Sequence, residues 1–141
     1  MRSRLLTQEL LQCMVELPLL FLTGGVLYYG LEMVYRGYSH WSMALCGALC
    51  FWAIYRINRA LPRSPILLCA LLSALLITGT ELLAGCVFNL WLKLAVWDYR
   101  QMPFQLWGQI CLPFSCLWFL LGIPVSLLCR WIRRRVFLAH E

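Results

Sequence analysis

The stretch Gln101–Cys129, QMPFQLWGQICLPFSCLWFLLGIPVSLLC, runs for 29 residues without a formal charge. A helix needs about 20 apolar residues to cross the hydrocarbon layer, so this stretch is long enough to span a bilayer. The rest of the chain has the same character, with 62% hydrophobic residues and a mean hydropathy of +0.76. A water-soluble domain of this length needs a far more polar surface. The sequence therefore predicts an integral membrane protein.

Three further stretches are long and apolar: Leu10–Tyr35, Gly37–Tyr55 and Ile66–Leu92. Backbone polar groups in lipid must pair within their own segment, and the alternating strands of a membrane barrel are not visible, so we expect helices. The predicted fold class is all-α. We expect a single polytopic domain over residues 1–141, an integral bundle of four transmembrane helices at about 10–35, 42–59, 65–91 and 108–129.

The basic residues are distributed unevenly around these four predicted spans. Nine of the twelve lie on the same side as both termini: Arg2, Arg4, Arg56, Arg59, Arg63, Arg130, Arg133, Arg134 and Arg135. The positive-inside rule then places both termini in the cytoplasm. The net charge of +6 follows this pattern, and the chain has no room outside the membrane for a nucleic-acid-binding element, so we predict no nucleic-acid partner.

The sequence has two features that also occur in other classes of protein, an arginine-containing N-terminus and several cysteines. The N-terminus has the arginines of a signal peptide, but Glu9 and Glu16 interrupt the apolar run, so we expect it to stay uncleaved. The eight cysteines all lie within or at the ends of the spans, without a CxxC motif or a nearby histidine to complete a metal set. We interpret them as packing residues and predict no metal and no cofactor.

A link at about residues 92–107 separates the third and fourth predicted spans. It is amphipathic and rich in tryptophan, and it could lie in the membrane interface or fold back into the bundle. Most tryptophans of the chain fall near the predicted ends of spans, and we interpret them as interface anchors.

Acidic residues within the spans are the main candidates for function, because an ionisable group in a membrane helix is costly unless it is paired or hydrated. Glu32 and Arg36 stand four residues apart and can form an intrahelical ion pair. Glu81 has no basic residue at helical spacing, and Gly85 and Asn89 continue its face of the helix. We predict one polar site at the outer end of the bundle, built from Glu32, Arg36, His40, Glu81, Asn89, Asp98, Tyr99 and Gln109.

Several of these motifs resemble a known family. The run Val96-Trp97-Asp98-Tyr99, followed by Pro103-Phe104 and by Gly108-Gln109-Ile110-Cys111-Leu112, is similar to the bacterial membrane family named putative ABC-transporter type IV, also called CmpB-like. Glu32, Arg36-Gly37-Tyr38, Glu81 with Gly85, and Trp118 also look like its pattern. The chain departs from it at Arg100, where the family usually has Ser, and at Gln105, where it usually has Asn. The resemblance implies a multi-pass protein of the bacterial cytoplasmic membrane, and carries no mechanism.

Three functions remain open on the sequence. The first is a permease-like or channel-like protein whose outer polar site binds a small cation, a proton or a solute, working as a homodimer or with a partner membrane subunit. The second is an intramembrane enzyme acting on a lipid or lipid-linked substrate, with Glu81, Asp98 and His40 as candidate catalytic residues and Arg36 holding the headgroup phosphate. The third is a scaffold or assembly subunit whose polar residues hold the helices together. The lipid bilayer is the partner common to all three.

Overall fold

The computed structural model describes residues 2–138, and the fold is all-α, with 78% of the chain in helices. Four α-helices are connected by loops, and a two-stranded antiparallel hairpin precedes the last helix. Their bounds are α1 Arg2–Arg36, α2 Trp41–Ala60, α3 Ile66–Gly85, β1 Gln105–Leu106, β2 Ile110–Cys111 and α4 Leu112–Ile132. π-helical turns extend α3 over Cys86–Trp91 and α4 over Arg133–Phe137.

Three helices of the described chain are long and apolar enough to cross a membrane: Leu6–Arg36, Ile66–Trp91 and Leu112–Phe137. The predicted second span, residues 42–59, does form a helix, but α2 is not apolar enough to be counted with them. Its last turns contain Arg56, Asn58 and Arg59, which lower the hydropathy of the whole segment. The prediction of four transmembrane helices is therefore confirmed only for three.

Two helices differ at their start from the predicted spans. α1 begins at Arg2 and not near residue 10, because neither glycine nor proline occurs before Pro18 to stop the helix. The fourth span does not begin at residue 108, because Gly108 has a φ of 70° and the next residues form β2. α4 begins at Leu112, and Pro113 falls in its first turn, where a missing N–H costs no helical hydrogen bond.

The described chain forms two compact units, residues 2–52 with 131–138 and residues 53–130. In the first unit α1 and the start of α2 approach so closely that two glycines lie at the contact. A Cβ atom on Gly24 would lie 2.3 Å from the Cβ of Phe51, and one on Gly47 would lie 2.4 Å from the Cβ of Tyr28. Small residues allow such backbone approach between membrane helices, where apolar burial alone gives no preference over lipid.

In the second unit α3 and α4 also pack closely, with Gly122 against the backbone of Ala70. Arg130 closes one end of this unit. Its Nε donates to the Asn58 side-chain oxygen at 3.2 Å, and its Nη2 donates to the Ser64 carbonyl at 2.9 Å and to the Cys69 sulfur at 3.3 Å. This guanidinium therefore ties together the end of α2, the loop after it and both long helices.

The glycine contact between α1 and α2 gives a first prediction. Gly24→Ala should lower the free energy of unfolding by roughly 1–3 kcal/mol, because the added methyl group overpacks the contact with Phe51. Gly30→Ala is the matched control, since nothing lies within 4 Å of a Cβ atom at that position of the same helix. Thermal unfolding in detergent should show a loss for the first variant and none for the second. Equal effects would contradict a close contact at Gly24.

Candidate functional site

The Glu81 carboxyl group is buried in the second unit, with 8% of the residue exposed. Its Oε1 accepts a hydrogen bond from the Tyr99 hydroxyl at 3.1 Å, and its Oε2 accepts one from Trp118 Nε1 at 2.9 Å. Glu81 comes from α3, Tyr99 from the link and Trp118 from α4. Because a buried carboxyl group is costly without hydrogen bonds, these donors explain how α3 tolerates an acid within an apolar span.

Aromatic stacking fixes the two donors. Tyr99 stacks on Phe114, with ring centroids 4.7 Å apart and an interplanar angle of 14°. Phe114 in turn contacts Trp118 at a centroid distance of 6.1 Å, one helical turn further along α4. The Tyr99 backbone N–H donates to the Gly108 carbonyl at 2.8 Å. Rings held in this way keep the hydroxyl and the indole N–H aimed at the carboxyl group.

A hydroxyl pair lies one turn before Glu81 on α3. The Oγ1 of Thr78 and the Oγ of Ser115 are 2.9 Å apart, and they bridge α3 and α4. Thr78 precedes Glu81 by three residues, so both side chains lie on the same side of α3. The contact between these helices is therefore polar over two successive turns.

Asn89 organises the link. Its Oδ1 accepts from the Val96 N–H at 2.7 Å, and its Nδ2 donates to the Trp97 carbonyl at 3.1 Å and to Gln109 Oε1 at 2.8 Å. Gln109 Nε2 donates to the Trp107 carbonyl at 2.9 Å. One amide side chain thus holds the link at two separate points along the chain.

Gln109 and the Trp97 indole complete this network. Trp97 is buried, and its Nε1 donates to the Gln109 carbonyl at 3.0 Å. Gln109 is 4% exposed and packs against Gly85, where a Cβ atom would lie 2.4 Å from the Gln109 Oε1. The face of α3 that carries Glu81, Gly85 and Asn89 is therefore the surface on which the link is seated.

Asp98 lies on the exposed side of the link. It accepts from Arg100 Nε at 2.8 Å and from the Arg100 N–H at 2.9 Å, and the Arg100 Nη2 lies 2.7 Å from its Oδ2. These hydrogen bonds, with the Arg100 charge, lower the pKa of Asp98, which therefore stays ionised at neutral pH. Arg100 and Gln105, the two departures from the family pattern, both make hydrogen bonds within the link, since Gln105 Oε1 accepts from the Gly108 N–H.

The remaining predicted residues belong to the first unit. Arg36 pairs with Glu32 through its Nη2, as the four-residue spacing predicts, and its guanidinium lies 4.8 Å from the centroid of the Tyr38 ring. His40 directly precedes α2, and its Nδ1 accepts from the Ser42 N–H at 3.2 Å and lies 2.6 Å from the Ser42 hydroxyl. This is the geometry of a helix N-cap.

The structure thus brings Glu81, Asn89, Tyr99 and Gln109 together around the link, whereas Asp98 points to the surface. Glu32, Arg36 and His40 form contacts within the other unit, and one site spanning both groups stays a prediction. Sequence reasoning missed the roles of Trp97 and Trp118, which are buried hydrogen-bond donors. A usable signal was present, because a lone acid in a span requires a donor and Trp118 is a donor within the next span.

Among residues 2–138, no group of three His, Cys, Asp or Glu side chains could hold a metal ion. Burial raises the pKa of the Cys111 thiol next to the link, so this thiol is less acidic than a free cysteine.

The fold and this network define a multi-pass α-helical membrane protein in which a hydrogen-bonded link covers a buried carboxyl group. The chain belongs to the family described as "Putative ABC-transporter type IV", which it matches over residues 9–139. The resemblance noted in the sequence is therefore confirmed. No curated protein and no solved structure matches the chain.

The cap at His40 gives a second prediction. His40→Ala should cost about 1 kcal/mol of stability, because the Ser42 N–H at the start of α2 loses its acceptor. His40→Asn should recover most of this loss, since asparagine is a favourable N-cap residue. Thermal unfolding of the three proteins measures the difference. A failure of Asn to rescue would argue for a role of the imidazole beyond capping.

The hydrogen bonds of the Asn89 side chain give a third prediction. Asn89→Leu should destabilise the protein by roughly 1–3 kcal/mol or more, because the Val96 N–H and the Gln109 side chain lose buried partners. Hydrogen exchange should rise first at the amides of the link, ahead of those of α4. Uniform exchange throughout the chain would show that Asn89 does not hold the link in place.

Proposed function

We propose that this chain is a permease-like membrane component in which Glu81 binds and releases a proton or a small cation. The observation that carries the proposal is the pair of neutral donors, Tyr99 and Trp118, on a carboxyl group within an apolar span. Such a group is expensive to maintain, and intramembrane acids commonly mark proton relays and ion pathways.

The chemistry of the two donors suits a group that changes its protonation state. The Trp118 indole can only donate, so it holds Oε2 as an acceptor in either state. The Tyr99 hydroxyl can donate to a carboxylate, or rotate and accept from a protonated Oε1. Glu81 can therefore gain or lose a proton while both of these contacts persist, and the site stays intact through a transport cycle.

The link is then the element that controls access to Glu81 from one side of the membrane. It supplies Tyr99 directly, and Asn89 and Gln109 hold it against α3. Release of these amide contacts would open a route for water or a solute to the carboxyl group.

The proposal includes a fourth crossing by α2 and a cytoplasmic location of both termini in a bacterial cytoplasmic membrane. α2 has 20 residues, about 30 Å at 1.5 Å per residue, which matches the hydrocarbon thickness. Its charged residues lie in the last turns, from which long side chains reach the headgroups. Because so few helices rarely enclose a pathway alone, we include a homodimer or a partner membrane subunit, and the ABC-transporter name of the family favours the partner subunit.

The enzyme alternative has less support. Asp98 is engaged with Arg100 at the surface, and His40 caps a helix, so both candidate bases already have structural roles. The scaffold alternative keeps support from the same observations as the proposal, because a fully hydrogen-bonded carboxyl group also holds α3, the link and α4 together. The two functions differ in whether Glu81 changes its protonation state.

A fourth prediction separates transport from scaffolding. In proteoliposomes with an imposed pH gradient, Glu81→Gln should abolish proton flux, because a neutral amide retains the shape of the side chain but cannot exchange a proton. Glu9→Gln, at an exposed position of α1, is the matched control and should keep wild-type flux. Infrared difference spectra between each variant and the wild type isolate the carboxyl group that the substitution removes. The carboxyl band of Glu81 should titrate with pH in the wild type and in Glu9→Gln, and it should be absent from Glu81→Gln.

If Glu81→Gln changes only the melting temperature and no titrating carboxyl band is lost, the scaffold function is correct and the transport proposal is wrong. If flux persists in this variant while the band disappears, Glu81 is a proton site outside the transport pathway.

A further inference from the structure

The link contains four non-glycine residues with left-handed backbone conformation. Their φ angles are 55° at Lys93, 49° at Ala95, 51° at Phe104 and 53° at Trp107. This region is disfavoured for residues with a Cβ atom, and bulky side chains are rare in it. Such residues persist only where the surrounding structure fixes them, and they concentrate at functional segments.

Hydrogen bonds fix Phe104 and Trp107 at the two ends of β1. The Phe104 carbonyl accepts from the Leu112 N–H at 3.3 Å, and the Trp107 carbonyl accepts from the Gln109 side chain at 2.9 Å. Pairing of β1 with β2 then sets the residues between them. The backbone of this hairpin therefore demands left-handed geometry at both positions, whichever residue occupies them.

Glycine would satisfy that geometry without a steric cost, as it does at the next residue, Gly108, with a φ of 70°. The chain instead carries two large aromatic residues. Phe104 is 83% exposed and Trp107 is 63% exposed, so contacts within the chain cover only a minor part of either side chain. Contacts within the chain therefore fix the backbone at both positions but do not account for the large aromatic side chains there.

The position of the hairpin indicates what that contact is. It lies between two candidate membrane spans, and α4 begins at Leu112, directly after β2. The end of a transmembrane helix meets the headgroup region, and this connection favours a position of the hairpin near the surface of the bilayer. Tryptophan favours this region, because its ring is apolar and its N–H can bond to headgroups and water.

We propose that the hairpin tip, Phe104–Trp107, is a lipid-binding element that inserts both aromatic side chains among the headgroups and glycerol backbones of the adjacent leaflet. Leu106, 42% exposed between them, adds apolar area. The charged pair Asp98 and Arg100 is also exposed on the link and is available to water or to headgroups. Lipid contact thereby seats the link against the membrane, independently of any role of Glu81 in proton transfer.

Substitution by glycine tests this proposal, because it removes the backbone strain and the lipid contact together. In lipid nanodiscs, Phe104→Gly and Trp107→Gly should each lower the midpoint of thermal unfolding. Ala95→Gly is the matched control, since Ala95 has the same backbone conformation and an exposed methyl group only. Its midpoint should stay the same or rise. If Phe104→Gly and Trp107→Gly both behave like Ala95→Gly, the aromatic side chains contribute nothing outside the chain and the proposal is wrong.

Fluorescence quenching tests the location without a destabilising change. The Trp107 signal is the difference between the wild type and Trp107→Phe, which retains an aromatic ring. Phospholipids brominated near the glycerol end of the acyl chain should quench this signal more strongly than those brominated near the methyl end, and more strongly than aqueous iodide. Quenching mainly by iodide would place the tip in water, and absence of quenching by either would indicate cover by a second copy or another protein. Either result would overturn the proposal.

Discussion

Polar groups within a membrane span need hydrogen-bond partners inside the protein. This requirement governs the structure around α3 and the link. α3 carries a carboxyl group and an amide group on one face, and lipid offers neither of them a partner. The link meets both needs: Tyr99 donates to Glu81, and the backbone near Val96 and Trp97 bonds to Asn89. The polar face of α3 thus determines where the link lies, and the link supplies one of the hydrogen-bond donors of Glu81.

The sequence predicted the helices well because each depends on local properties. Length, apolarity and backbone self-pairing were sufficient to predict α1, α3 and α4, and the four-residue spacing was sufficient for the Glu32–Arg36 pair. α2 shows the limit of this reasoning, since its last turns combine a helical pattern with arginines and an asparagine. Whether such a segment crosses lipid depends on its neighbours as much as on its own composition.

The sequence predicts a polar helical face on α3 but not the partners of that face. The helical face of Glu81, Gly85 and Asn89 followed from spacing alone, whereas the partners of that face lie at sequence separations set by the path of the link. The same holds for the hairpin, because four left-handed non-glycine residues leave no compositional signal. The capping role of His40 was likewise not predicted, because it depends on where α2 begins.

The length of α1 has a consequence of its own. Its 35 residues measure roughly 52 Å at 1.5 Å per residue, against a hydrocarbon layer of about 30 Å. Tilting absorbs only part of this surplus, since helices in membranes incline by about 20° on average. A bilayer with its headgroups is about 40–45 Å thick, so most of the remainder lies within the headgroup layer, and the first turns of the helix contain Thr7, Gln8, Glu9 and Gln12. The start of α1 thereby carries hydrogen-bonding side chains at the depth where headgroups and water supply partners for them.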